Sequence, residues 1–207
     1  AVSVALVRAL SAYLGQSASD EQVNRIAFEA EKIHHGAPSG IDNTVITYAR
    51  PVYFVRGRPM ETFKPRRPFT IIIADTGIPA PTRASVADVH RLWEQDHRRW
   101  EALFQRAGEI AAQARRAIEF GKLPELGALM DRNHELLQQM TVSSPELDRL
   151  VEAARRGGAL GAKLSGGGRG GNMIALADPP AGGQPVAAIE DCLRQAGAKR
   201  VISTQVR

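Results

Sequence analysis

The stretch "FTIIIADTG", Phe69 to Gly77, constrains the fold more than any other. It is a continuous apolar run rich in β-branched residues, with no polar alternation, so it reads as a buried central strand ending at Asp75. Such a strand needs partners on both edges and helices to cover it. The sequence downstream offers both. Arg83 to Phe120 is helical in pattern, with Val86, Val89, Leu92, Trp93, Trp100, Leu103 and Phe104 among its buried-side residues, and Gly121 stops it. Leu123 to Met140 and Pro145 to Arg156 read as two more helices. "GALGAKLSG", "NMIALAD" and "RVISTQV" read as three strands, with a helix from about Pro185 to Ala196 before the last. "DPPAGGQP", Asp178 to Pro185, reads as a surface loop. Strand, three helices, two strands, helix, strand predicts an α+β domain with helices on one face of a mostly antiparallel sheet.

The sequence before this run has a different rhythm. Val2, Ala5, Leu6, Ala9, Leu10 and Tyr13 recur at helical spacing, and Gly15 ends that helix. Ser19, followed by Glu21 and Gln22, starts a second helix reaching about Ile33. "TVITY", Thr44 to Tyr48, and Pro51 to Val55 read as strands, with Gly57 in a turn. "KPRRP", Lys64 to Pro68, has the composition of a linker. It marks a boundary between a domain at 1–63 and one at 64–207. The chain opens inside a helical pattern without a Met, as expected of a fragment or a processed chain.

The bulk numbers exclude some classes. No apolar run approaches the ~20 residues of a membrane helix, and Arg8 interrupts the opening apolar stretch, which is unlike a signal peptide. Cys192 is the single cysteine, so no intramolecular disulfide forms and a reducing, cytoplasmic setting is expected; its helical context suits packing rather than nucleophilic chemistry. The net charge of +5 suits an anionic ligand, though it also suits nucleic acid or plain solubility. Arginine pairs at Arg66-Arg67, Arg98-Arg99, Arg115-Arg116 and Arg155-Arg156 lie in the linker or on polar helix faces, and aromatics make up only 5%, too few for base stacking. The five histidines do not cluster by spacing; His90 and His97 are seven apart on one helix, too far for one metal.

Three places can carry chemistry. In "KLSGGGRGGN", Lys163 to Asn172, a glycine-rich loop follows a strand. Without Cβ atoms its backbone N–H groups can approach anionic oxygens, but a tight hairpin between two strands would use the same residues. It is not a Walker A motif and not a dinucleotide fingerprint, because a strand follows it. In "DTGIPAPTRASV", Thr82 and Arg83 stand where a helix starts and can hold an anion; a plain N-cap at Thr82 is the simpler reading. In "EKIHHGAPSGIDN", Glu31 and Asp42 lie eleven positions apart across a Gly-Pro-Ser-Gly turn. One carboxylate can hold Mg²⁺ while the other takes a hydroxyl proton, the two tasks of phosphoryl transfer. On spacing alone, Asp42 closing its own turn is the preferred reading.

Together and in this order, these motifs resemble the GHMP small-molecule kinases, most closely the members that phosphorylate mevalonate. The resemblance also takes in "MDRNHELLQQMTVSSPELDRLVEAAR" and covers nearly the whole chain. It implies a two-domain α+β fold: the remainder of an N-terminal domain, then a ferredoxin-like sheet with helices on one face. It implies ATP-dependent conversion of mevalonate to 5-phosphomevalonate, a step of isoprenoid biosynthesis, with Asp42 as the catalytic acid and Glu31 as the Mg²⁺ ligand. Gly166, Gly167 and Gly168 would support the phosphates, and Ser39 and Thr82 would meet the substrate. Phosphomevalonate, homoserine and galactose kinases are the alternatives within the family, and a non-catalytic relative is the alternative outside catalysis. The first helix and the Arg83–Phe120 helix offer surfaces for a homodimer.

Two departures from the family pattern stand out. Its phosphate loop, Pro-x-x-x-Gly-Leu-Gly-Ser-Ser-Ala, would end at or just before Ala1, so little activity is expected of this polypeptide alone. Arg169 replaces a usual glycine. It can add an anion contact or pair with an acid, and the expectation is that it points to solvent.

Overall fold

A computed structural model describes residues 1–35, 39–55, 57–80, 82–178 and 186–207. The described chain forms two compact units, Ala1–Lys64 and Pro65–Arg207.

The first unit holds α1 (Val2–Tyr13), α2 (Asp20–His35), α3 (Ile41–Tyr48) and a small antiparallel pair, β1 (Val52–Tyr53) with β2 (Glu61–Thr62). Ser19 starts α2 with a reciprocal capping box. Its hydroxyl accepts from the Gln22 backbone N–H at 3.2 Å, and its own N–H donates to the Gln22 side-chain Oε1 at 2.9 Å. Val4, Val23 and Ala27 make a small core. Arg8 joins three helices: its guanidinium pairs with Asp20 at 2.7 Å and donates to the Thr47 carbonyl at 3.0 Å.

The strand expected at "TVITY" is helix α3. Gly40, at φ +84, turns the chain into it, and its buried residues Asn43, Thr44 and Thr47 follow helical spacing. These buried side chains are polar, and Asn43 and Thr44 meet α2, where Asn24 Oδ1 accepts from Asn43 Nδ2 at 2.6 Å. That tertiary contact overrides the β propensity of the threonines, Val45 and Ile46. The strand expected over Pro51 to Val55 is shorter, and Gly57 does lie in a turn, closed by the Arg58 N–H on the Val55 carbonyl at 3.0 Å.

The second unit runs β3 (Phe69–Asp75), α4 (Thr82–Gln95), α5 (His97–Glu119), α6 (Leu123–Gln139), α7 (Pro145–Arg156), β4 (Gly161–Ser165), β5 (Asn172–Ala177), α8 (Val186–Gln195) and β6 (Arg200–Val206). All pairings are antiparallel in the order β4-β5-β3-β6, so the "FTIIIAD" strand is central, as its composition requires. First strand inside, last strand at one edge and the middle hairpin at the other is the ferredoxin-like arrangement. Ile72, Leu164, Met173 and Leu176 from the sheet are fully buried with Leu136, Leu147, Leu150, Ile189 and Leu193 from the helices. No helix among the described residues is long and apolar enough to cross a membrane.

The single helix expected over Arg83 to Phe120 is two helices. The chain leaves helical geometry at Asp96, whose carboxylate caps α5 by accepting from the Arg99 N–H at 3.1 Å. The apolar period runs through the break, which hides it from the sequence. Asp178, expected in a surface loop, is instead buried. Arg67 grips it with two bonds, at 3.0 and 2.5 Å, and also donates to the Gly121 carbonyl at 3.3 Å. Residues 179–185 of that loop lie outside the described residues.

Helix α6 runs along the edge of β4. Asp131 Oδ1 accepts the Ala162 N–H at 2.9 Å and His134 Nδ1 accepts the Leu164 N–H at 3.3 Å, acceptors that a further strand would otherwise supply. Gly127 and Gly161 allow this approach. A Cβ on Gly127 would collide with the Leu160 backbone just before β4, and one on Gly161 with the Gly127 backbone.

Candidate active site

Glu31, Ser39 and Asp42 belong to the first unit. Glu31 lies in the last part of α2 and is half-buried, while Asp42 is exposed in the first turn of α3. A carboxylate there is favoured by the unpaired N–H groups and the dipole at a helix start. The approach to it is fixed by two residues. Ser39 Oγ accepts the Ile41 N–H at 3.3 Å. Gly40 carries the positive φ and packs on Phe28, whose ring would lie 3.3 Å from an added Cβ. Beside this turn is an open groove of about 390 Å³, lined among others by Asn24, Phe28, Ser39, Asn43 and Phe54. The preceding residues of the turn, 36–38, lie outside the described residues.

Thr82 and the glycine loop belong to the second unit and meet there. Thr82 is the first residue of α4 rather than a cap before it. A Cβ on Gly167 would lie 2.7 Å from Thr82 Oγ1, so only glycine lets the loop settle this closely on the helix start. The loop also rests on the link between α6 and α7: a Cβ on Gly168, at φ +76, would collide with the Val142 carbonyl oxygen. Its far end is tied to the segment after β3, through the Thr76 N–H on the Gly171 carbonyl and the Gly171 N–H on the Ile78 carbonyl, each at 2.9 Å. The two readings of the motif are therefore compatible. The loop closes a β4–β5 hairpin and also holds glycine backbone against a helix N-terminus.

Arg169 does not point to solvent. It adopts φ +58 and pairs with Asp88 of α4 at 2.5 Å, and its Nε donates to the Thr141 carbonyl at 3.3 Å. The Arg169 bond, then that of Arg91, holds the Asp88 carboxyl below the usual carboxylate range.

Two further residues behind the loop were not singled out in the sequence. Lys163, just before it on β4, donates to the Leu164 carbonyl at 2.8 Å, and burial pushes its ammonium down to about 8. His134 is buried between β4 and α7. Its Nε2 lies 3.1 Å from Asp148 Oδ1 without the alignment of a full hydrogen bond, and Asp148 also accepts from Ser143 Oγ. Since Nδ1 accepts the Leu164 N–H, the imidazole is neutral with its proton on Nε2. Burial is the main cause lowering its basicity, opposed by the Asp148 charge. The visible signal for His134 was a histidine placed among the apolar positions of α6. Among the described residues, no three His, Cys, Asp or Glu side chains gather as a metal cage.

Within the second unit, a helix start with a glycine loop fitted to it suits the handling of phosphate. Within the first unit, a carboxylate stands in the first turn of a helix. The model for the GHMP kinases N terminal domain matches residues 1–50, and that for the GHMP kinases C terminal matches residues 110–199. The chain belongs to the GHMP kinase family. Within it, similar proteins include mevalonate kinases. The mevalonate kinase of Pyrococcus horikoshii is 38% identical over 185 residues, which covers 86% of this chain and 54% of that protein. The L. major mevalonate kinase in complex with R-mevalonate is 38% identical with a TM-score of 0.91, over 99% of this chain and 64% of that one. The enzyme from methicillin-resistant Staphylococcus aureus is 30% identical with a TM-score of 0.70, over 99% and 64%. The chain spans about half the length of the curated relatives it matches.

Proposed function

We propose that the whole protein to which this chain belongs transfers the terminal phosphoryl group of ATP to the primary hydroxyl of mevalonate, giving 5-phosphomevalonate and ADP. The observation that carries this reading is the likeness to the mevalonate kinase solved with R-mevalonate, at 38% identity over 99% of the chain. In this reading residues 1–63 are the remaining part of the N-terminal domain and 64–207 the C-terminal domain.

Asp42 acts as the catalytic acid–base group. Its carboxylate orients the substrate hydroxyl and takes its proton as the oxygen attacks the phosphorus; the bond to the leaving ADP oxygen breaks in line. The stiffness of the Ser39-Gly40 entry serves that task, because a group held in reach of the hydroxyl avoids the entropy of finding it. Gly166, Gly167 and Gly168 offer backbone N–H groups to the phosphates. Ser39 and Thr82 contact substrate through their hydroxyls.

Glu31 is the carboxylate for Mg²⁺. Magnesium is usually held by one or two carboxylates with waters and phosphate oxygens, and a half-buried glutamate is a ligand of that type. When bound, the ion would neutralise phosphate charge. The lone Cys192 supports a cytoplasmic setting. A homodimer through α1 or the α4–α5 pair is part of this reading, and light scattering on the whole protein checks it.

The test is an ADP-release assay on the whole protein with mevalonate, phosphomevalonate, homoserine and galactose as acceptors. Turnover with mevalonate, lost on chelation and restored by Mg²⁺, is expected. Preference for another acceptor would overturn the substrate, and turnover with none would overturn the activity.

A further inference from the structure

Arg169 occupies a left-handed backbone conformation, at φ +58, that favours glycine over any L-residue with a side chain. Its interactions link the loop to two other elements. The guanidinium pairs with Asp88 on α4 at 2.5 Å, Nε donates to the Thr141 carbonyl at 3.3 Å, and the backbone N–H donates to the Val142 carbonyl at 2.8 Å. Asp88 is bound by Arg91 as well, at 3.3 Å.

The loop is thus attached to α4 at two heights. Gly167 packs on Thr82, and Arg169, two residues on, reaches Asp88, six residues further along the helix. Six residues of helix rise about 9 Å. One attachment would leave the loop free to rock about Thr82; two fix its tilt. We propose that the Arg169–Asp88 pair is a strap that sets the glycine loop against the start of α4, making Arg169 a positioning residue for the phosphate loop and not a phosphate ligand. The proposal rests on the reading of Gly166 to Gly168 as that loop. Because the guanidinium is engaged by a carboxylate and a carbonyl, a direct phosphate contact would compete with a pair already formed.

The two roles give opposite results on the partner residue. In the whole protein, Arg169→Gly and Asp88→Asn should each raise the nucleotide KM about fivefold, the scale of a part-exposed ion pair. kcat should change by no more than about twofold. The double variant should be no worse than either single one, and Arg169→Lys should recover part of the loss. The thermal midpoint of Arg169→Gly should stay or rise, since the strained φ is relieved. If Arg169→Gly raises KM while Asp88→Asn lowers it or leaves it alone, Arg169 is a direct phosphate ligand and the strap is wrong. If neither changes KM in an active enzyme, the pair is only a surface contact.

Should the wild-type protein phosphorylate nothing, the phosphate-loop reading falls and amide exchange still decides the strap. Faster exchange over residues 165–171 in both variants supports it; unchanged exchange overturns it.

Discussion

At the scale of single residues, His134 ties chemistry to stability. It is neutral in the fold because burial disfavours its charge, with Arg155 and Lys163 adding repulsion and Asp148 opposing them. Protonation would also replace the acceptor at Nδ1 by a donor facing the Leu164 N–H. The folded state therefore binds its proton at lower pH than the unfolded chain does. Stability is full above the ordinary histidine value of 6.5 and is lost as pH falls below it through the folded value. Thermal midpoints of the whole protein should fall below that pH, and His134→Asn should flatten this slope while lowering stability at neutral pH. An unchanged slope would contradict the assignment. His134 was legible only as a polar intruder on an apolar helix face. Its partners, at Leu164 and Asp148, are distant in sequence. The same distance hid Arg169's partner: no local rule points to an acid 81 positions away.

At the scale of elements, glycines decide the loop, and they do so unequally. Gly166 has φ +91 with open space around an added Cβ, whereas Gly168 has φ +76 and a carbonyl in the way. Gly166→Ala should cost about 1 kcal/mol from backbone strain alone. Gly168→Ala should cost about 3 kcal/mol, because the link at Val142 must also move. Denaturant midpoints of the two variants check the order; equal costs would mean that the loop is not seated on Val142. The sequence made the glycine run visible but not its seat. Elements set by their own composition were readable, as with "FTIIIAD" at the centre of the sheet. Those set by a distant contact were not. "TVITY" is a helix because Asn24 receives its polar face, and α4 and α5 part at Asp96 although the apolar period continues across it.

At the scale of the whole molecule, order carried the reading. An acid before a stiff turn, a strand leading to a helix start, and a glycine loop are each ordinary alone. In that sequence order they resemble the GHMP kinase family, and the two family models match residues 1–50 and 110–199, which hold the first and the last of them. The central claim is that the turn after α2 holds Asp42 as the group that takes the hydroxyl proton. At the described end of that turn, Ser39 Oγ accepts the Ile41 N–H and Gly40 supplies the positive φ that leads into α3. The most direct measurement is therefore kcat and nucleotide affinity for Asp42→Asn in the whole protein, with mevalonate and ATP. The substitution keeps shape and removes the base. Nucleotide affinity should be unchanged and kcat should drop by about 10²-fold or more. A variant that keeps its kcat would contradict the claim and leave Asp42 as a residue of the turn alone.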